Sequence, residues 1–255
     1  MQTLRIAVVS DIHGNLAALQ AVVDDFTRRG VDAVVNLGDS LSGPLLPRET
    51  AEYLLAQPWT QLAGNHERQI LDSSGRRGAS DEYARSQLSI RELDWIASLQ
   101  PRADYAEDVL LCHGTPQSDL VYLLETVEPN RLRLASAQEI DERLGATRAD
   151  LIVCGHSHVP RSVRTARGQL IVNPGSVGLP GYVASSPHAH VVENGSPDAR
   201  YAIVERNAGL WSSLLIAVAY DFRSMAELAR RRGRTEWHRA LLTGYVSQSL
   251  APYPV

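Results

Sequence analysis

Lysine is absent from this 255-residue chain: all 25 basic residues are arginine. That excludes a Schiff-base lysine and the lysine of a phosphate-cradling loop. It also leaves arginine as the sole cationic fork available to grip a phosphate. Cysteine is scarce, and Cys112 and Cys154 make no disulfide framework; both read as small buried strand residues. No apolar run approaches the roughly 18 residues of a membrane span, and Met1–Arg5 lead into an apolar stretch without the pattern of a secretory leader. The expected location is a reducing cytoplasm. A net charge of -4 argues against bulk nucleic-acid binding. An anionic substrate would have to be drawn in by local charge, which bound cations supply.

The length suits one large domain, or one domain with a C-terminal addition. Arg5–Val9 and Ala33–Leu37 are apolar strands, and Leu16, Leu19, Val22, Val23 and Phe26 recur between them at helical spacing up to Gly30. This is a βαβ unit, which favours parallel pairing. Arg48–Gln57 reads as a helix and Thr60–Ala63 as a strand. Leu71–Ala79 reads as a mobile loop. Ser89 with Glu92 and Ser136 with Glu139 form capping boxes that open helices. Val109–Cys112 and Leu151–Cys154 are further strands. Arg161–Thr165 with Gln169–Val172 predict one hairpin, and Tyr201–Val204 with Leu210–Val218 another. Between them Gly181–Ala199 is too irregular for an element, and its His188 and His190 read as solvated more readily than as a lid. Asp221–Arg232 and Thr235–Leu242 predict two short helices, followed by a loose tail from Gly244. The expected division is therefore a catalytic domain over 1–220 and a helical extension over 221–255.

Five fragments carry chemistry: Asp11-Ile12-His13, Gly38-Asp39, Gly64-Asn65-His66-Glu67, His113-Gly114 and Gly155-His156-Ser157-His158. Most of them end an apolar strand, where ligands collect in open α/β sheets. Asp11 and His13 are two residues apart and project from one face in extended backbone. Asp39 follows a glycine, so its carboxylate is free to lie between two cations. Asn65 offers a neutral carbonyl oxygen, and His13, His113, His156 and His158 offer nitrogen. Such a set without thiolate suits Mn, Fe, Zn, Co or Ni better than Ca or an iron–sulfur cluster. Each fragment alone is commonplace; their joint, ordered occurrence points to a pair of divalent metals. Arg68, Arg76, Arg77 and Arg85 are further candidates to meet substrate phosphate. Asn15 reads as a helix cap.

On these five motifs, residues 5–205 resemble the calcineurin-like metallophosphoesterases. The resemblance implies a mixed α/β fold, a four-layer αββα sandwich with two mixed sheets. It implies two divalent metal ions, manganese first, one held by Asp11, His13, Asp39 and His158 and the other by Asp39, Asn65, His113 and His156. His66 would act at the leaving group beside the bridging Asp39. The activity implied is hydrolysis of a phosphodiester or phosphomonoester by a hydroxide held between the metals. The partner is a small phosphate ester, with nucleotides among the candidates, and a homo-oligomer stays open. Asp11-Ile-His-Gly-Asn, Gly43-Pro44 and Asn173-Pro-Gly-Ser are similar to the small bacterial and archaeal phosphodiesterase branch. Protein phosphatases and dinucleotide polyphosphate hydrolases share Gly-Asn-His-Glu. They also carry an arginine shortly after Gly-Asp, which Ser40–Pro44 lacks. A non-catalytic scaffold of the same fold would have lost ligand histidines, and this chain keeps them.

Overall fold

The computed structural model describes residues 4–106, 108–129 and 131–246; most of the expected tail, with Tyr253 and the closing prolines, lies outside them. Two five-stranded mixed sheets are stacked face to face. In the first, β1 (Leu4–Val9), β2 (Ala33–Asn36) and β3 (Thr60–Gln61) run parallel. The second contains β4 (Arg102–Tyr105), β5 (Val109–Cys112), β8 (Leu151–Val153), β9 (Arg161–Arg164) and β10 (Leu170–Asn173), with β5, β8 and β10 parallel. The long hairpin β13 (Ala199–Asn207) and β14 (Leu210–Val218) completes the first sheet, with β13 antiparallel to β1.

Alternation along β1 explains the layering. Ile6 and Val8 point to a core shared with Val109, Leu111, Leu151 and Val153 of the other sheet. Ala7 and Val9 point the opposite way, onto Ala18, Leu19, Val22 and Phe26 of α1 (Leu16–Arg29). On the second sheet Leu110, Cys112 and Ile152 likewise pack on Ile140 and Leu144 of α6 (Ala137–Leu144). The result is the αββα order, helices outside and sheets within. Ser89 and Ser136 accept backbone N–H bonds at the starts of α5 (Ile90–Ser98) and α6, as their capping boxes predict.

Two departures from the sequence reading matter. The motif Asn65-His66-Glu67 opens a helix, α3 (Asn65–Leu71), which joins α2 (Pro47–Leu55), α4 (Ala79–Gln87) and α5 around Leu41, Ile70 and Ile96. Gly181–Ala199 is not structureless: β11 (Gly181–Ala184) pairs with β12 (His190–Glu193), and β6 (Glu125–Glu128) with β7 (Arg131–Leu134), as small hairpins outside the main sheets. Each strand is four residues long, too short for alternation to stand out. The two expected C-terminal helices, α7 (Phe222–Arg231) and α8 (Thr235–Thr243), bury Ala226, Ala229, Trp237 and Leu241 against Leu45 and Leu179. Leu45 belongs to the loop that follows Asp39, so the C-terminal helices reach the functional end of the sheets.

Candidate metal centre and active site

The carboxyl ends of β1, β2, β5 and β8 meet at one point. There Asp11, His13 and His158 form one group of donors, and Asp39, His113 and His156 a second; the donor atoms of each group lie within 4.8 Å of one another. All are buried except His156, which is half-buried. The backbone at these positions is unusual. Asp11, His13, Asp39, His156 and His158 have φ of 54°, 54°, 54°, 67° and 59°. Left-handed backbone costs a non-glycine residue about 1–2 kcal/mol, and only Ala106 and Ala208 share it among the other described non-glycine residues. Strain concentrated on five polar side chains marks a site that the surrounding fold enforces.

Hydrogen bonding aims the rings. The Nδ1 atoms of His13, His113 and His158 lie 2.7, 2.9 and 2.7 Å from the carbonyl oxygens of Ser42, Leu37 and Leu179. A carbonyl only accepts, so each Nδ1 carries a proton and each ring turns its Nε2 inward. His13 Nε2 and His158 Nε2 are then 3.2 Å apart with lone pairs facing, an arrangement that a cation between them would stabilise. Asn65 Oδ1 is buried without a partner, and Asp11 Oδ1 and His113 Nε2 are buried without a well-formed hydrogen bond, facing His158 Nε2 at 3.3 Å and Asp39 Oδ2 at 3.0 Å. Orphaned donor atoms of this kind, mixed oxygen and nitrogen, fit divalent metals.

Electrostatics agree. Burial and the neighbouring His158 and His66 push His13 down to about 4, and burial with His113 does the same to His156, so both rings are neutral and ready to donate. Burial raises Asp11, but His158 and His113 more than offset it and leave the carboxyl at about 2. Asp39 is likewise raised by burial yet held well below the carboxylate range by His113 and His66. Burial lowers His113 while Asp39, 3.0 Å away, and Asp11 draw it up to about 10. At that ring a proton and a cation would compete for the same nitrogen.

His66 stands beside this centre, its ring centroid 5.4 Å from that of His13. Its backbone N–H donates to Asp39 Oδ1 at 2.9 Å. Its Nδ1 meets Asp81 Oδ1 on α4 at 2.7 Å, a partner that nothing in the sequence signals. Burial lowers His66, and Asp39 and Asp81 overcome it, raising the ring to about 9. Glu67 is neither exposed nor bonded to His66. It is fully buried and accepts the backbone N–H groups of Asp39, Ser40 and Gly64 at 2.8, 2.8 and 2.7 Å. Burial and the Asp39 charge raise its carboxyl. Gly64 has to be glycine, because a Cβ there would collide with the Asp39 carboxylate.

The centre lies in a cavity of about 1100 Å³. Of the four candidate arginines only Arg76 lines it; Arg68 pairs with Asp119, Arg77 with Glu82, and Arg85 donates to the Ile70 carbonyl. His188 is exposed, whereas His190 is buried on β12 with Nε2 3.0 Å from the Tyr122 hydroxyl, so its reading as a solvated side chain is corrected. Tyr122 also packs on His156 and Tyr182 on His158, at centroid distances of 4.9 and 4.6 Å. From α8, Trp237 stands edge-on to His13 at 6.0 Å and lines the cavity. Asn15 Oδ1 accepts from Ala18 N–H, the expected cap.

Paired donor sets of this type at the strand ends of a two-sheet sandwich define a metallophosphoesterase fold. The chain belongs to the calcineurin-like phosphoesterase superfamily, whose domain model matches residues 4–194. It is similar to the uncharacterized protein MJ0912 of Methanocaldococcus jannaschii, 26% identical over 91% of this chain and 94% of the relative. Its fold is similar to a metallophosphoesterase from Sphaerobacter thermophilus, with a TM-score of 0.76, 26% identity, and 96% of this chain and 100% of that one covered. Hypothetical protein PH1004 from Pyrococcus horikoshii shares the fold at a TM-score of 0.73 and 15% identity, over 96% and 100% of the two chains. Among the described residues no helix is long and apolar enough to cross a membrane.

Proposed function

We propose that this protein is a binuclear metallophosphoesterase that hydrolyses a small phosphodiester or phosphomonoester. Asp11, His13, Asp39 and His158 hold one divalent cation and Asp39, Asn65, His113 and His156 the other, with Asp39 between them. Manganese is the first candidate. When bound, two such cations supply Lewis acidity toward the phosphoryl oxygens and an activated water. The protein does the rest. The carbonyl-fixed histidines hold their Nε2 atoms without searching for a tautomer. His66, protonated on Nε2 while Nδ1–H is held by Asp81, donates its proton to the departing ester oxygen.

The supporting observation is the convergence of orphaned, buried donor atoms around Asp39 and Asp11. Residues 1–220 form the catalytic domain in this reading, with 221–255 as its extension, a cytoplasmic location and nucleotides among the substrates to be tried. The test is a manganese-supplemented screen of monoester and diester nucleotides with wild type and Asp39→Asn. Turnover by the wild type and its loss in the variant support the reading; equal turnover by both removes it.

A further inference from the structure

Three exposed apolar side chains share one location. Leu120, Val121 and Val183 are 55%, 44% and 67% exposed, and all three line the cavity that holds Asp39 and His66. They come from two segments far apart in sequence, the loop after His113-Gly114 and strand β11. Tyr122, Val127 and Pro187 extend the same lining. Polar side chains interleaved with them are turned to protein partners: Glu125 to Arg161 at 2.6 Å, Thr126 to Glu139 at 2.9 Å, and the Tyr122 hydroxyl to Tyr182 at 2.7 Å. Apart from the exposed Ser185 and Ser186, what these two segments leave facing the cavity is therefore largely carbon. Segments 65–81 and 234–236, by contrast, line it with Gln69, Asp72, Arg76, Ser80, Arg234 and Glu236.

A phosphoryl group occupies only a fraction of about 1100 Å³, and cavities of several hundred Å³ suit ligands the size of a whole organic molecule. Clustered apolar side chains left in water at the mouth of a site gain from being covered by a ligand. We propose that the substrate is a phosphate ester whose organic group is apolar or aromatic, lying against Leu120, Val121 and Val183 while its phosphoryl group sits among the histidines and aspartates. A small or highly hydroxylated alcohol leaves this wall wet and is a poor substrate. The inference rests on the phosphoesterase reading above and narrows it.

The test is calorimetric binding of two non-hydrolysable probes, methylphosphonate and hexylphosphonate, to the full manganese-loaded chain. Each fully buried methylene tightens binding about fourfold, so five partly covered ones give the hexyl probe an advantage of about tenfold or more, with a more negative heat-capacity change. A Val121→Ser, Val183→Ser double variant narrows that ratio to about two- or threefold. Equal affinities in the wild type, or an advantage that survives unchanged in the variant, overturn the proposal while leaving the phosphoesterase reading intact. Failure of both probes and of inorganic phosphate to bind takes down the two together.

Discussion

Asp81 Oδ1 lies 2.7 Å from His66 Nδ1, joining a carboxylate on α4 to a ring on the first turn of α3. The carboxylate is almost fully buried and the imidazole partly open to the cavity. The pair therefore sets both the tautomer and the aim of Nε2, the one atom of His66 left to face a substrate.

Replacing Asp81 with Asn weakens that hold. With His66 donating to the leaving oxygen, Asp81→Asn lowers kcat about 10- to 100-fold for esters of ordinary alcohols. The loss is much smaller for p-nitrophenyl esters, whose leaving group departs without a proton. Steady-state kinetics on the two ester classes check this, and a uniform loss contradicts it.

Glu67 holds three backbone N–H groups from two different motifs. A glutamine can offer one oxygen only, so its amide nitrogen must face a donor. Glu67→Gln then destabilises the fold by about 1–3 kcal/mol and loosens Asp39 and Gly64 together. Urea unfolding at fixed metal concentration reads the first effect, and bound metal per chain the second.

Acid sensitivity has a contributor away from the centre. Burial raises the Asp25 carboxyl, and Arg29, Tyr201 and Arg28 more than offset it, leaving it below the usual carboxylate range. The Tyr201 hydroxyl donates to Asp25 Oδ2 at 2.7 Å, tying α1 to β13. A carboxylate whose value falls on folding stabilises the protein above its unfolded value of about 4, and the contribution fades as pH drops through the lower folded value. Asp25→Asn therefore melts below wild type at pH 7, and the gap closes in acid. Melting curves from pH 7 to pH 3 measure it; a gap that widens in acid refutes the assignment.

Much of the fold was legible because its signals are local. Strand β1 and helix α1 declare themselves by apolar spacing, and two capping boxes announce α5 and α6. The five motifs were legible because most of them end a strand, which puts their residues at one edge of the sheets. Asp81 was hidden for the opposite reason: it sits fifteen residues beyond His66 on a polar helix, and only packing of α3 against α4 brings them together. Glu67 looks like a turn residue until the positions of Asp39 and Gly64 are known. Tyr122, Tyr182 and Trp237 reach the histidines from a loop, a short hairpin and a C-terminal helix that carry no motif, and the left-handed backbone at five donor residues leaves no mark in side-chain identity.

The most direct measurement of the central claim is anomalous scattering from manganese-loaded crystals. The account predicts two peaks about 3.5–4 Å apart, one among Asp11, His13 and His158, the other among His113, His156 and Asn65, with Asp39 between. A single peak, none, or ions bound away from these side chains contradicts it.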